Sequence, residues 1–228
     1  MTDTRRQGLH PKQTFIDSEL REINELARVC EAHDQVDLRI NWGGLEERAG
    51  DRASDFLYYH NGALIGFLAI DGLGDDEAEA TGMVHPNHRR QGVFRALAAA
   101  AGAECRSAGT AALVFVFDRR SDSARGFVDA LGAVYVFAEH KMRWPGTSAI
   151  PNVEPRLDFR RATADDAAAI AGILAEDIGI DAHELRQAVA DNIRHAWYRY
   201  YVAALGAVPV GTLNVQTLDR DAYIYGFV

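Results

Sequence analysis

The sequence has only two cysteines and no long hydrophobic run, and each absence excludes a class of protein. No apolar segment approaches the ~18–20 residues that cross a bilayer, and no apolar stretch follows the charges of the amino terminus, as a secretory signal would require. Two cysteines are too few for a disulfide scaffold. Cys30 and Cys105 both occupy apolar positions of helical patterns, which predicts buried free thiols and a cytoplasmic protein.

Positive charge is scarce, since 33 acidic residues outnumber 24 basic ones and the formal net charge is −9. This balance argues against a nucleic-acid partner, and it makes any local basic cluster informative. The histidines form no metal motif, because neither His183 nor His195 has nearby cysteines or carboxylates that would complete a ligand set. We therefore expect no metal site and no membrane partner.

Hydrophobic patterns divide the chain into a first unit at residues 1–145, a linker at 146–156 and a second unit at 157–228. In the first unit, a helix with Asp17 or Ser18 as its N-cap precedes two strands joined by a tight turn, and a third strand follows. A helix, a buried parallel strand, a short helix and an extended segment complete the unit. The predicted ranges are 17–30, 55–59, 63–69, 77–84, 93–107, 111–117, 121–131 and 133–144.

The second unit repeats the order of elements at the start of the first. It follows a linker rich in proline and small polar residues, and it begins with a capping box at Thr163, two helices and two strands. Its last segment, 221–228, aligns with 77–84, and Gly211 aligns with Gly66. This alignment indicates a tandem duplication, although two unrelated hairpins that each need a glycine would produce the same match.

The strongest local signal is the polar, basic junction at residues 84–95, where a strand leads into a helix. The first N–H groups of a helix have no partner within it, and together with the helix dipole they favour an anion. Gly92 allows close approach because it has no Cβ atom, and Arg89, Arg90 and Arg95 concentrate positive charge. The junction is typical of a diphosphate site, although a basic surface turn is the simpler alternative. It matches neither the dinucleotide-binding nor the P-loop pattern.

The segment at 89–94, Arg-Arg-Gln-Gly-Val-Phe, resembles the acyl-CoA signature of the GCN5-related N-acetyltransferases (GNAT), written Arg/Gln-x-x-Gly-x-Gly/Ala. The preceding Val84-His85-Pro86 matches the strand end that leads into this signature. The resemblance covers residues 17–144, and the segment after 157 is similar to the front half of the same fold, as in mycothiol synthase-like two-domain acetyltransferases. It implies an α/β (α+β) GNAT fold with a mixed central sheet flanked by helices. The second copy would be incomplete and would lack its signature loop.

The resemblance also implies roles for the junction, with acetyl-CoA as the co-substrate. Backbone N–H groups would hold its diphosphate, and Arg89 and Arg90 would add charge. The N–H groups are those of Gln91, Gly92, Val93, Phe94 and Arg95. Backbone groups of Met83 and Val84 would pair with the pantetheine arm as an added strand would, and the N–H group of Val84 would stabilise the thioester oxyanion. Phe94 departs from the usual glycine or alanine, so its side chain must point into the core.

Acyl transfer to an amine requires a base, because an ammonium group has no lone pair. Glu79 on the preceding strand is the best candidate. Glu77 lies two residues before it, so both side chains could face the same side of the strand. The alternative is that both belong to a solvated strand end. The family often protonates the leaving thiolate with a tyrosine, but Val128 occupies that position, and nothing assigns the role to the nearby Tyr135. A thiol with a pKa near 8.5 can leave as the thiolate without this acid.

These features predict an acetyl-CoA-dependent N-acetyltransferase that acylates a primary amine of a small molecule or peptide. Val128 and Phe94 leave a second hypothesis open, an acyl-CoA-binding domain of low or no activity that regulates or scaffolds. The chain ends at Val228, the counterpart of Val84, so we expect 228 residues to be a fragment of a chain of ~290 residues. Otherwise we expect a partner to complete the second unit, most simply another copy in a homodimer.

Overall fold

The computed structural model describes residues 6–140, 142, 157–178, 181–194, 198–218 and 221–228. Its contacts group the chain into two compact units, Met1–Glu139 and His140–Val228. The predicted linker at 146–156 and His195 lie outside the described residues. Within the described part, no helix is both long and apolar enough to span a membrane.

The first unit is built on a five-stranded sheet with the order β1-β2-β3-β4-β5. Neighbouring strands are antiparallel except β4 and β5, which are parallel. The strands are β1 (Gly8–Lys12), β2 (Asp55–His60), β3 (Ala63–Asp71), β4 (Glu77–Val84) and β5 (Ala112–Phe115). This mixed sheet, with a helix in the connection between its parallel strands, confirms the predicted fold class.

Helices cover both faces of this sheet. They are α1 (Asp17–Asp34), α2 (Trp42–Glu46), α3 (Val93–Ala108) and α4 (Asp122–Leu131). On one face, Ile23 of α1 packs in a cluster with Phe67 of β3. On the opposite face, Leu97 of α3 packs in a cluster with Leu68 of β3. All four side chains are fully buried, and each contributes roughly 1.5–3 kcal/mol to the free energy of unfolding.

The second unit contains a four-stranded antiparallel sheet with the order β6-β7-β8-β9. Its elements are β6 (Asp158–Arg161), α5 (Ala167–Ile178), α6 (Ala182–Arg194), β7 (Tyr198–Leu205), β8 (Val208–Leu218) and β9 (Asp221–Tyr225). Ile170 of α5, Val189 of α6 and Val202 of β7 form its core. The two helices therefore cover one face of the sheet.

The internal repeat recurs in the backbone. In both units a strand, two helices and three antiparallel strands follow one another. Gly66 lies opposite Val84 in the first unit. In the second, Val228 exchanges 3.1 Å hydrogen bonds with Thr212, the residue after Gly211, and a Cβ atom at Gly211 would come within 2.7 Å of the Val228 carbonyl oxygen. Both hairpins also carry a register shift two residues before the turn. This shared topology supports the inference of a tandem duplication.

Two elements and one segment differ from the sequence patterns. β1 has only five residues and contains Pro11, which suits an edge strand but leaves no alternation to detect. α2 is one short turn with two glycines, begun by the Asn41 side chain, which accepts the N–H of Gly44 at 3.0 Å. Residues 133–140 form no strand, contrary to the extended segment predicted at 133–144. Residues 134–137 are four consecutive apolar residues, all of them exposed. They lack the alternation of polar and apolar side chains that would place one face of a strand against the core.

Candidate active site

The candidate site begins where β5 stops pairing with β4. The last paired residues are Ala80 and Phe115, and the N–H of Val116 still donates to the carbonyl of Ala80 at 3.0 Å. β4 continues to Val84 without a parallel partner among the described residues. Such an edge presents backbone donors and acceptors that another extended chain can pair with.

The pairing of β4 with β3 decides which of these groups are free. The N–H of His85 donates to the carbonyl of Ile65 at 2.8 Å, and hydrogen-bonded positions alternate along an antiparallel pair. Met83, which lies opposite Phe67, therefore has its backbone groups turned towards β3. Gly82 and Val84 have theirs turned towards the open side. This corrects the sequence-based assignment of Met83 to the pantetheine arm, because Gly82 rather than Met83 shares the open edge with Val84.

The junction itself has the conformation of an anion site. A short 3-10 turn at Pro86–His88 follows β4, and Arg90 and Gly92 then adopt positive φ angles of 62° and 84°. Gly92 is the N-cap of α3, and no side chain caps the first N–H groups of that helix. A Cβ atom at Gly92 would meet no atom within 4 Å, so the space in front of the helix end is open.

The residues predicted around this helix end divide into free and engaged groups. Arg90 and Arg95 are exposed, and neither forms an ion pair with another described residue. The side chain of Gln91 donates to the carbonyl of Asn87 at 3.2 Å, which braces the turn. Val93 is buried in the core cluster beneath α3. The free arginines and the uncapped helix end together fit a diphosphate.

Arg89 does not point to this helix end. Its Nη1 and Nη2 atoms donate to the two carboxylate oxygens of Asp34 at 2.8 and 2.7 Å, and its Nε donates to the carbonyl of Val84 at 3.0 Å. Hydrogen bonding from this guanidinium holds the pKa of Asp34 below its usual value. The first residue of the predicted signature thus joins the end of β4 to the last turn of α1.

Phe94 packs into the core, as its departure from glycine or alanine predicts. Its ring lies 4.7 Å from that of Phe127 and 6.5 Å from that of Phe115, between centroids. It also fills the space beside Gly82, where a Cβ atom would come within 2.8 Å of the ring. Gly82 therefore makes room for a large residue in the signature.

Glu79 lies on the α1 face of β4. Ala78, Ala80 and Val84 pack in the α3 cluster whereas Met83 packs in the α1 cluster, and side chains alternate along a strand. Glu79 is half-buried and forms no ion pair or hydrogen bond with a described residue, and Glu77 on the same face is exposed. At ~3.3 Å per residue, Glu79 is about 10 Å from Gly82 and about 16 Å from Val84 along the strand.

Two further positions bear on the chemistry. Val128 lies on α4 where the family often has tyrosine, and Tyr135 is 77% exposed, with no contact that places it at the site.

No group of three or more His, Cys, Asp or Glu side chains suited to a metal ion occurs in the part of the chain that the structure describes. Both cysteines are buried free thiols, as predicted.

The comparisons with known proteins agree with this fold. The model of the acetyltransferase (GNAT) family matches residues 17–133. A GCN5-related N-acetyltransferase from Sphaerobacter thermophilus is similar over 96% of this chain and 75% of its own, with a TM-score of 0.73 and 13% identity. A tandem GNAT protein from the clavulanic acid biosynthesis pathway is similar over 96% of this chain and 78% of its own, with a TM-score of 0.63 and 17% identity. No curated protein sequence matches the chain.

Proposed function

Because the chain belongs to the acetyltransferase (GNAT) family, we propose that it is an acetyl-CoA-dependent N-acetyltransferase that acylates a primary amine by direct attack. The observation that carries this proposal is the open edge of β4 at Gly82 and Val84, which leads directly to the uncapped helix end at Gly92. An extended arm with a diphosphate at one end needs both features in this order.

The residues of the first unit would bind and orient acetyl-CoA in two parts. N–H groups of residues 91–95 at the start of α3 would donate to the diphosphate, and Arg90 and Arg95 would add charge. Gly82 and Val84 would pair with the pantetheine arm. An outward N–H of this edge would donate to the thioester oxygen and stabilise its charge in the transition state. The sequence predicts that the N–H group of Val84 has this role, and the N–H group of Gly82 is the one closer to Glu79.

Glu79 would act as the general base. It would accept a proton from the substrate ammonium through water, since about 10 Å of strand separates it from Gly82. The neutral nitrogen would then attack the carbonyl carbon, so that a C–N bond forms and the C–S bond breaks. Without a tyrosine at position 128, the sulfur would leave as the thiolate, and the second proton that the nitrogen loses as the amide forms would reach this thiolate through water.

Three further features shape the proposal. In the second unit, the position that corresponds to Glu79 is occupied by Tyr223 of β9. The strand pairing shows this correspondence, because Tyr223 lies opposite Gln216 and Glu79 lies opposite Asp71. The second unit therefore has a phenol where the first has the candidate base. This supports placing the catalysis in the first unit.

The net charge of −9 favours a cationic amine as the substrate. Two buried free thiols suit a reducing cytoplasm.

The test is turnover of acetyl-CoA with amines of different classes, followed by detection of the released thiol. The amines are an aminoglycoside, a polyamine, a peptide with a free N-terminus and a thiol–sugar conjugate. We expect thiol release with at least one of them. Tight CoA binding by calorimetry without turnover on any amine would favour the acyl-CoA-binding alternative, and absence of CoA binding would contradict both.

Replacing Gly92 by alanine is expected to weaken CoA binding about tenfold. The φ of 84° strains any L residue by about 1–2 kcal/mol, and the added methyl group occupies the open space in front of α3. Gly109→Ala is the matched control, because Gly109 has a φ of 86° at the other end of the same helix and equally open surroundings. Thermal unfolding should show similar destabilisation of both variants, and calorimetry should show weaker CoA binding only for Gly92→Ala. Equal affinity in the two variants would contradict the proposed diphosphate site.

A further inference from the structure

Three of the five N–H groups of the Arg89 guanidinium are engaged, and they hold it against Asp34 and the end of β4 rather than at the start of α3. Each of its three nitrogens donates at 2.7–3.0 Å, two to Asp34 and one to the carbonyl of Val84. Arg89 and Asp34 each have 19% of their side-chain surface exposed, so the pair is largely removed from water. Turning Arg89 towards the start of α3 would break three charge-assisted hydrogen bonds and leave the largely buried carboxylate of Asp34 with only the exposed His33 as a side-chain partner.

These contacts act on one particular atom of the open edge. The carbonyl of Val84 points away from β3 and would otherwise be an acceptor for an added strand. It accepts instead from Arg89 Nε at 3.0 Å and from Cys30 Sγ at 3.5 Å. At this position only the N–H of Val84 remains available on the open side, whereas Gly82 presents both groups. Arg89 Nε lies 3.0 Å from the carbonyl oxygen of the same residue, so its positive charge favours an oxygen acceptor at this end of the edge.

We propose that Arg89, held by Asp34, is a positioning residue for the acyl-pantetheine arm and takes no part in binding the diphosphate. This inference rests on the proposed function. It assigns the diphosphate to the N–H groups at the start of α3 and to Arg90 and Arg95. It also gives the last turn of α1 a role, because Asp34 fixes the guanidinium that orients Val84.

Binding of a fragment of CoA distinguishes the role proposed for Arg89 from the role proposed for Arg90. The probe is 3′-phosphoadenosine 5′-diphosphate, which keeps the diphosphate and lacks the pantetheine arm. We expect Arg89→Gln to bind this probe with a Kd within twofold of the wild type, and Arg90→Gln to bind it at least fivefold more weakly. A fivefold or larger loss in Arg89→Gln would overturn the inference.

Turnover of two acyl donors tests the positive part of the inference. S-Acetyl-pantetheine lacks the diphosphate that acetyl-CoA carries. We expect Arg89→Gln and Asp34→Asn to lower kcat/KM at least tenfold, by a similar factor with either donor, because the pair orients the part that both donors share. Arg90→Gln should lower kcat/KM for acetyl-CoA and leave that for S-acetyl-pantetheine within twofold. Unchanged turnover of S-acetyl-pantetheine by Arg89→Gln would contradict the positioning role.

Controls separate this inference from misfolding and from failure of the proposed function. The double variant Arg89→Gln/Asp34→Asn removes both charges, so it should unfold at a temperature close to that of the wild type and keep the kinetic loss. Recovery of wild-type kcat/KM in this double variant would show that the single variants act only through an unpaired charge, and it would overturn the inference. If the wild-type protein binds neither CoA nor the fragment, the proposed function fails first, and the inference fails with it.

Discussion

Replacement of Glu79 by glutamine is expected to lower kcat by about two to three orders of magnitude, which is the usual contribution of a positioned general base. Glutamine has the same shape but cannot accept a proton from the substrate ammonium. Glu79 forms no ion pair or hydrogen bond with a described residue, so the amide should not disturb the fold. The measurement is thiol release at saturating acetyl-CoA and amine, with thermal unfolding as the check on folding.

Glu77→Gln is the matched control for this variant. Glu77 lies on the same face of the same strand, two residues further from the open edge, and it is exposed. Its loss should change kcat less than threefold. A kcat of Glu79→Gln within threefold of the wild type would place the base elsewhere.

The sequence was sufficient to predict the part of this site that depends on local chemistry. The bounds of β4 and the start of α3 agree with the predicted ranges, because a strand with alternating polar and apolar residues, a proline turn and a glycine follow one another there. The inward position of Phe94 also follows from size alone, since a ring cannot share the space of a close backbone contact.

The remainder of the site depends on contacts between distant segments. The role of Arg89 is decided by Asp34, which is 55 residues away in the chain, and no local pattern connects the two. Whether Gly82 or Met83 faces the open edge depends on which residues of β4 form hydrogen bonds with β3. The pattern of side chains in the sequence does not contain this information. Gly82 did carry a signal, because a glycine inside a strand often marks a place where another group approaches the backbone closely, and here that group is the ring of Phe94.

A second large effect is expected at the buried carboxylate of β2. Asp55 is fully buried, and Arg48 donates to its two oxygens at 2.9 and 3.3 Å. The same guanidinium binds Asp71 and the carbonyl of Ile70, each within 3.0 Å. Arg48→Met removes these partners and leaves a buried charge, which should lower the free energy of unfolding by about 3–5 kcal/mol at neutral pH. Chemical denaturation measures this difference.

The size of this loss should depend on pH in a defined direction. Burial raises the pKa of Asp55 to about 6 from its usual 3.8, although the hydrogen-bonded Arg48 opposes that rise. A folded-state pKa above the unfolded one means that folding favours the protonated form. In the wild type, this contribution to stability is present below pH 3.8 and is lost as the pH rises through 6. Without Arg48 the pKa of Asp55 should rise further, so the deficit of the variant should be larger at pH 8 than at pH 5.

Arg52→Met provides the contrast that isolates burial as the cause. Arg52 pairs with Glu104 at 3.1 Å, but its side chain is 45% exposed, and an ion pair of this kind contributes at most about 1 kcal/mol. The two variants remove the same charge and add the same side chain, four residues apart. The free energy of unfolding of Arg48→Met should therefore be lower than that of Arg52→Met by at least about 2 kcal/mol at pH 8. This difference between the two variants should be smaller at pH 5. A gap independent of pH would mean that lost packing, and not the buried carboxylate, sets the cost.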